Sequence, residues 1–181
     1  MTTEPATRMT RSQLTPLPDY FDRYINMADD VDVLTALATS LTELENAPLD
    51  DWKRIGDRVY APGKWTVKDI LQHIIDTERI FSYRALAFAR GDRDAPSYDE
   101  DTYGREANAI TRSLEDLLAE AIAVRRSTVL LFKTFHTTVL QRTGNGFKGP
   151  YSVHDIGYIL AGHQRWHFRV IEEQYMPLIR R

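Results

Sequence analysis

Cysteine is absent from the 181-residue chain. That absence removes disulfide staples, a protein thiol nucleophile and thiolate metal ligands together. Long apolar runs are missing as well: no segment approaches the roughly 20 residues needed to span a bilayer, so no membrane partner is expected. There is no basic excess either. Lys and Arg number 23 against 26 Asp and Glu, a formal charge of -3, and the cations are scattered along the chain. Such a surface offers no footprint for a phosphate backbone, and nucleic acid is not an expected partner. The first eighteen residues hold Pro5, Pro16 and Pro18 and no apolar stretch of the kind a secretion signal needs, which makes the cytoplasm the expected location.

What is present is an ordinary globular composition, 43% hydrophobic and 27% charged, enough to bury one sizeable core. Residues 1–18 read as an arm or surface strap. The remainder, 19–181, reads as one all-α domain, a four-helix bundle with long inter-helix loops. A short helix is expected near Asp19. Leu34, Leu37, Leu41 and Leu44 recur at three- and four-residue steps and mark the first long helix, over 31–45. Pro48 and the stretch through Tyr60-Ala61-Pro62-Gly63 break that period. Thr66-Val67-Lys68-Asp69 then supplies a hydroxyl cap with an acid three residues later, and the second helix runs to Gly91-Asp92.

The segment from Arg93 to Arg112 reads as a long loop whose aromatic part, Tyr98 to Tyr103, could cover a site mouth or an interface. A third amphipathic helix is expected from Ser113 to about Phe135, marked by Leu114, Leu117, Leu118, Ala121, Thr128, Leu131 and Phe132. Thr143-Gly144-Asn145-Gly146 reads as a turn, and no strand of convincing length is expected. Ser152-Val153-His154-Asp155 repeats the hydroxyl-plus-acid cap and opens the fourth helix, which ends before Pro177.

The fourth helix carries the informative residues. At about 100° per residue, Ile156, Leu160, His163, His167, Val170 and Ile171 share one stripe, so both imidazoles point inward. His163 and His167 stand four apart, on the same side one turn from each other, near enough to chelate one ion. The structural alternative is that they hydrogen-bond to buried acids, carbonyls or water. His73 sits two turns into the second helix, off the centre of its stripe. Alone it reads as structural; combined with the pair it completes three imidazoles from two facing helices, which would leave an ion at least one open position. His136 and His154, at helix ends, are expected to face solvent, and Trp166 to pack. Glu78 lies on the apolar stripe, where a carboxylate needs a partner: either it serves as a base or supports a ligating histidine, or it pairs internally with an arginine such as Arg84. Asp76 faces the other side and reads as a surface acid.

These residues, in this order, resemble the DinB-like (DinB/YfiT) superfamily of metal-dependent four-helix-bundle proteins. The likeness runs from Tyr20-Phe21-Asp22-Arg23-Tyr24-Ile25 through Tyr175. It is carried by Tyr60-Ala61-Pro62-Gly63-Lys64-Trp65-Thr66-Val67-Lys68, by His73-Ile74-Ile75-Asp76-Thr77-Glu78-Arg79, and by Ala161-Gly162-His163 followed by His167. The resemblance implies a divalent metal, zinc, nickel or iron, on His73, His163 and His167. It further implies an enzyme that activates water or an exogenous low-molecular-weight thiol for a small-molecule substrate, of transferase or hydrolase type, and often a homodimer. The rival reading is a non-catalytic small-molecule-binding or stress-response protein.

Overall fold

Each of the four long helices starts on a side-chain cap. Asp32 accepts from the amides of Leu34 and Thr35, Thr66 from Asp69, Ser113 from Asp116, and Ser152 from Asp155, each satisfying donors that a helix N-terminus leaves free. The computed structural model describes residues 9–180. Its helices are α1 Asp22–Ile25, α2 Val33–Glu45, α3 Leu49–Ile55, α4 Val67–Arg90, α5 Glu100–Ala107, α6 Leu114–Lys133, α7 Thr137–Leu140 and α8 Val153–Val170. Helices α2 and α4 each pack against both α6 and α8, which closes the four long helices into a bundle, and α1 lies along α8. This is the all-α, four-helix architecture expected from the periodicity. No helix among the described residues is long and apolar enough to cross a membrane.

The core falls into two apolar clusters. One gathers Phe21, Leu37, Phe81, Phe88, Phe132 and Leu160; the other Leu44, Trp52, Ile75, Leu117, Ile171 and Tyr175. Every long helix contributes to both, and between its two contributions each places a buried polar residue: Ser40 on α2, Glu78 on α4, Arg125 on α6, and His163 with Gln164 on α8. A polar layer therefore crosses the bundle at mid-height. Arg125 Nε donates to Glu78 Oε1 at 2.6 Å, its Nη1 to Ser40 Oγ, and its Nη2 to the Leu160 carbonyl oxygen at 3.1 Å. Gln164 Nε2 donates to the Ser40 carbonyl oxygen at 2.8 Å.

Several expectations are corrected. The segment 93–112 is not all loop: α5 and a 3-10 turn over Ala109–Thr111 fill its second half. No residue of α5 is buried, so apolar periodicity could not betray it. It is set instead by its ends, Asp99 accepting from Thr102 N at 2.7 Å and Asn108 leaving it at φ 48°. Helix α3 occupies part of the stretch read as a break. Trp52 and Ile55 are buried on its inner side, and Asp50 and Asp51 in its first turn with Lys53 and Arg54 in its last complement the helix dipole. Thr143-Gly144-Asn145-Gly146 is a strand rather than a turn. It pairs antiparallel with Gly149–Ser152, Gly144 opposite Tyr151, across a two-residue hairpin whose Lys148 has φ 66°. Gly144 is required there because a Cβ would overlap the Phe88 ring. The helix foreseen near Asp19 begins at Asp22. Helix α8 continues past Val170 as a π-helical turn, Ile171–Tyr175, and a 3-10 turn, Met176–Leu178, that contains Pro177. Of the N-terminal arm, residues 1–8 lie outside the described residues. Leu14 and Leu17 of its remainder pack on the first cluster, and Tyr158 Oη donates to the Val31 carbonyl oxygen at 2.7 Å with the Met9 carbonyl oxygen 3.2 Å away.

Candidate metal centre

Helices α4 and α8 carry the three expected ligands, and both begin with a reciprocal capping box. The Thr66 amide donates to Asp69 Oδ2 at 2.8 Å while Asp69 N donates back to Thr66 Oγ1 at 3.2 Å; for Ser152 and Asp155 the two distances are 2.8 and 3.0 Å. The boxes fix where each helix starts, and the helical repeat then brings His73, His163 and His167 to one point. His73 Nε2 and His167 Nε2 each lie 3.1 Å from His163 Nε2, and the candidate ligand atoms of all three residues fall within 4.8 Å of one another. Gly162, just before the central histidine, lets α1 approach: a Cβ there would overlap the Tyr24 carbonyl oxygen. That close approach sets the Tyr24 ring edge-on to His163, 5.1 Å between centroids. On the other side Trp65 leans on His73 with centroids 4.8 Å apart.

The electrostatics favour neutral rings. Burial pushes His73 down from its ordinary 6.5 to about 4. Burial and then the neighbouring His73 push His167 to about 3. His163 falls well below its ordinary value, through burial first and then its two histidine neighbours and Arg125. Three neutral imidazoles offer three lone pairs or three N–H groups, depending on tautomer. The arrangement tests which. An imidazole nitrogen has one in-plane lone pair or one proton, so His163 Nε2 cannot make good hydrogen bonds to both of its neighbours. Three lone pairs aimed at one cation need no such compromise. Nitrogens each about 2.0–2.1 Å from one ion sit roughly 3–3.4 Å apart, matching the observed 3.1 Å spacings. The donor set fits a borderline divalent ion.

A sequence profile described as the DinB superfamily matches residues 26–171. This chain belongs to the DinB superfamily. Among solved structures it is similar to YfiT from Bacillus subtilis, described as a probable metal-dependent hydrolase with an unusual four-helix bundle topology, with a TM-score of 0.66 and 18% identity over 95% of this chain and 94% of that one. At that identity the likeness speaks for the fold. A comparison with curated proteins gives no match.

The structure places the remaining candidates of this DinB-superfamily chain as follows. Glu78 does have an arginine partner, but it is Arg125 of α6 and not Arg84. Asp76 is half-buried, accepts from Gln72 Nε2 at 2.9 Å, and is pushed upward by burial, so it is not a plain surface acid. His154 is buried at 3% exposure, against the solvent-facing position expected for it, whereas His136 is exposed. Its ring tilts against Tyr158 one turn on, 5.3 Å between centroids, and Met9, Gln13 and Leu14 of the N-terminal arm line the same hollow as His154. Trp166 packs against Tyr24 as expected. Sequence reasoning passed over Arg125, although it shares the α6 stripe with Ala121, Thr128 and Phe132, and it passed over Tyr24. The 98–103 segment does lie by the site: Tyr98 Oη is 2.8 Å from Thr77 Oγ1, and both residues line a pocket of about 210 Å³ that reaches His163. A second pocket, of about 300 Å³, reaches His167 between Tyr60, Trp65 and Tyr175.

Proposed function

We propose that this protein is a metal-dependent enzyme in which His73, His163 and His167 hold one divalent ion, zinc, nickel or iron, for use on a small-molecule substrate with water or a low-molecular-weight thiol. The observation that carries this reading is the convergence of three neutral Nε2 atoms that cannot satisfy one another. An ion held by three protein ligands keeps at least one open position and supplies Lewis acidity strong enough to ionise water or a thiol near neutral pH. The chain's own contribution is to keep the three rings uncharged by burial, to clamp two of them with Tyr24 and Trp65, and to leave approaches beside His163 and His167. Two approaches suit a reaction with two organic partners, such as thiol transfer; hydrolysis needs only one. Because the chain has no cysteine, any thiol comes from outside. The hydrolase description of YfiT supports the same type of chemistry.

The test is elemental analysis after loading with zinc, nickel or iron. About one equivalent per chain is expected, and His163→Ala should lose it. Undiminished metal in that variant would remove the site. A metal-free protein whose melting curve ignores a chelator would favour a non-catalytic binding role. With metal established, turnover of an activated ester in water, against turnover of an electrophile that needs an added thiol, separates hydrolase from transferase.

A further inference from the structure

Two arginines, Arg84 at 1% and Arg125 at 0% exposure, lie inside the bundle. Arg125 is ion-paired and fully engaged, as described above. No acid pairs with Arg84 among the described residues. Its Nη2 donates to the Pro96 carbonyl oxygen at 2.7 Å, its guanidinium carbon stands 4.7 Å from the Phe81 ring centroid, and its Nε and Nη1 have no partner in good hydrogen-bond geometry among the described residues. The Tyr151 hydroxyl lies close enough that the charge of Arg84 and a weak hydrogen bond from it partly offset the upward push of burial, but the contact falls short of good hydrogen-bond geometry and leaves the guanidinium donors poorly used. A buried cation with idle donors and no counter-charge is costly, and here it borders a space that can supply one.

That space is the pocket of about 210 Å³ whose wall includes both Arg84 and His163, with Phe21, Phe81 and Ile159 between them. Arg84 stands eleven residues beyond His73 on α4, roughly 16 Å along the helix axis, so the charged end and the histidine end are well apart. The wall also holds Asp99, Glu100 and Asp101. The Glu100 carboxyl is pushed upward by burial and next by Asp101, so the acidic stretch resists further negative charge. One cation inside and several acids along the same wall admit a single negative charge and disfavour a dianion.

We infer that Arg84 anchors the carboxylate of a small monoanionic ligand with an apolar body, held in the pocket between Arg84 and His163; only its role as substrate rests on the metal-centre reading. The ligand's carboxylate accepts hydrogen bonds from the idle guanidinium donors, and its body lies along the aromatic wall toward the histidines.

Calorimetric titration of the purified full chain with phenylacetate, phenylacetamide and phenyl phosphate tests this, with butyrate and butyramide as a pair lacking the ring. Charge-assisted hydrogen bonds predict at least one of the two acids binding about tenfold or more tighter than its amide, with the phosphate weaker than phenylacetate. Arg84→Met should equalise acid and amide while its melting temperature holds or rises, because it removes an unpaired buried charge; Arg84→Gln should equalise them too. Equal binding of acid and amide in both pairs to the unaltered protein, tighter binding of the phosphate, or a preference undiminished in both variants would overturn the inference. Metal content of the same sample separates the two readings. Acid preference in protein that takes up no metal keeps the anchor and removes the metal centre; stoichiometric metal without acid preference does the reverse.

Discussion

Two buried polar groupings occupy the middle of this bundle, and they differ in whether their members satisfy one another. In the first, Arg125 spends its donors on Glu78, Ser40 and the Leu160 carbonyl, so charge and hydrogen bonds close within the chain. In the second, three imidazole nitrogens face each other, and among the described residues no acid or carbonyl hydrogen-bonds to them. The closed cluster resembles structural cores in general, where buried polar groups are paired. The open one is the grouping that the proposed ion would complete. They sit side by side in one layer: His163 is adjacent to Gln164, which joins Ser40, and the charge of Arg125 adds to the forces holding His163 uncharged.

The sharpest way to break this comparison is to open the closed cluster. Glu78→Ala leaves Arg125 buried without its counter-charge and should cost about 3–5 kcal/mol, read as a fall in the urea midpoint. Glu78→Leu with Arg125→Met, which removes both charges together, should recover most of that loss. A cost below about 1 kcal/mol for Glu78→Ala, the range of exposed pairs, would mean that the pair does not hold the bundle. It would also return Glu78 to consideration as a base for the site.

Next in size is the response to metal. An ion that binds only the folded chain adds about 2.7 kcal/mol when present at a hundred times its dissociation constant. Thermal unfolding with zinc and then with excess chelator should differ accordingly. The His163→Ala protein should show no difference, whereas the Glu78→Leu, Arg125→Met protein should keep it. Loss of the metal response in that double variant would show that the two clusters are one functional unit.

The open cluster should also give the metal-free protein a pH dependence with a definite sign. In the unfolded chain the histidines take up protons near 6.5. Folded, His73 does so only near 4 and His167 near 3, because burial disfavours the charged ring. The unfolded state therefore binds more protons between those limits. Stability is fully present above about 6.5 and falls with pH toward 4, by up to about 1.4 kcal/mol per pH unit for each such ring. Urea midpoints at pH 7.5 and 5.5 measure it. Replacing all three histidines by alanine should flatten the difference, and an unchanged slope would mean that the rings are charged or solvated in the fold.

Much of this was legible in the sequence because it depends on helical repetition. The stripes of α2, α4, α6 and α8 and the caps at Thr66 and Ser152 are local patterns, and so is the inward direction of His163 and His167. Partner choice is not local. Glu78 announced its need for a cation, but whether Arg84 of its own helix or Arg125 of another supplies it depends on how α4 and α6 face each other. Helix α5 was hidden for the opposite reason, since none of its residues is buried and no apolar rhythm marks it. The hairpin was hidden by its glycines: Gly144 is there to clear the Phe88 ring, a contact that exists only after folding.

The smallest effect concerns the caps that set the ligand helices in register. Only α4 and α8, among the four long helices, start with a reciprocal box. Thr66→Ala and Ser152→Ala should each cost about 1 kcal/mol, as lost helix caps commonly do, with the metal content unaltered because several turns of tertiary packing still hold each histidine. A variant that kept its stability and lost its metal would show the opposite, that the caps tune the position of the ligands rather than the strength of the helices. Only the open half of the polar layer would then depend on those few hydrogen bonds at the helix starts.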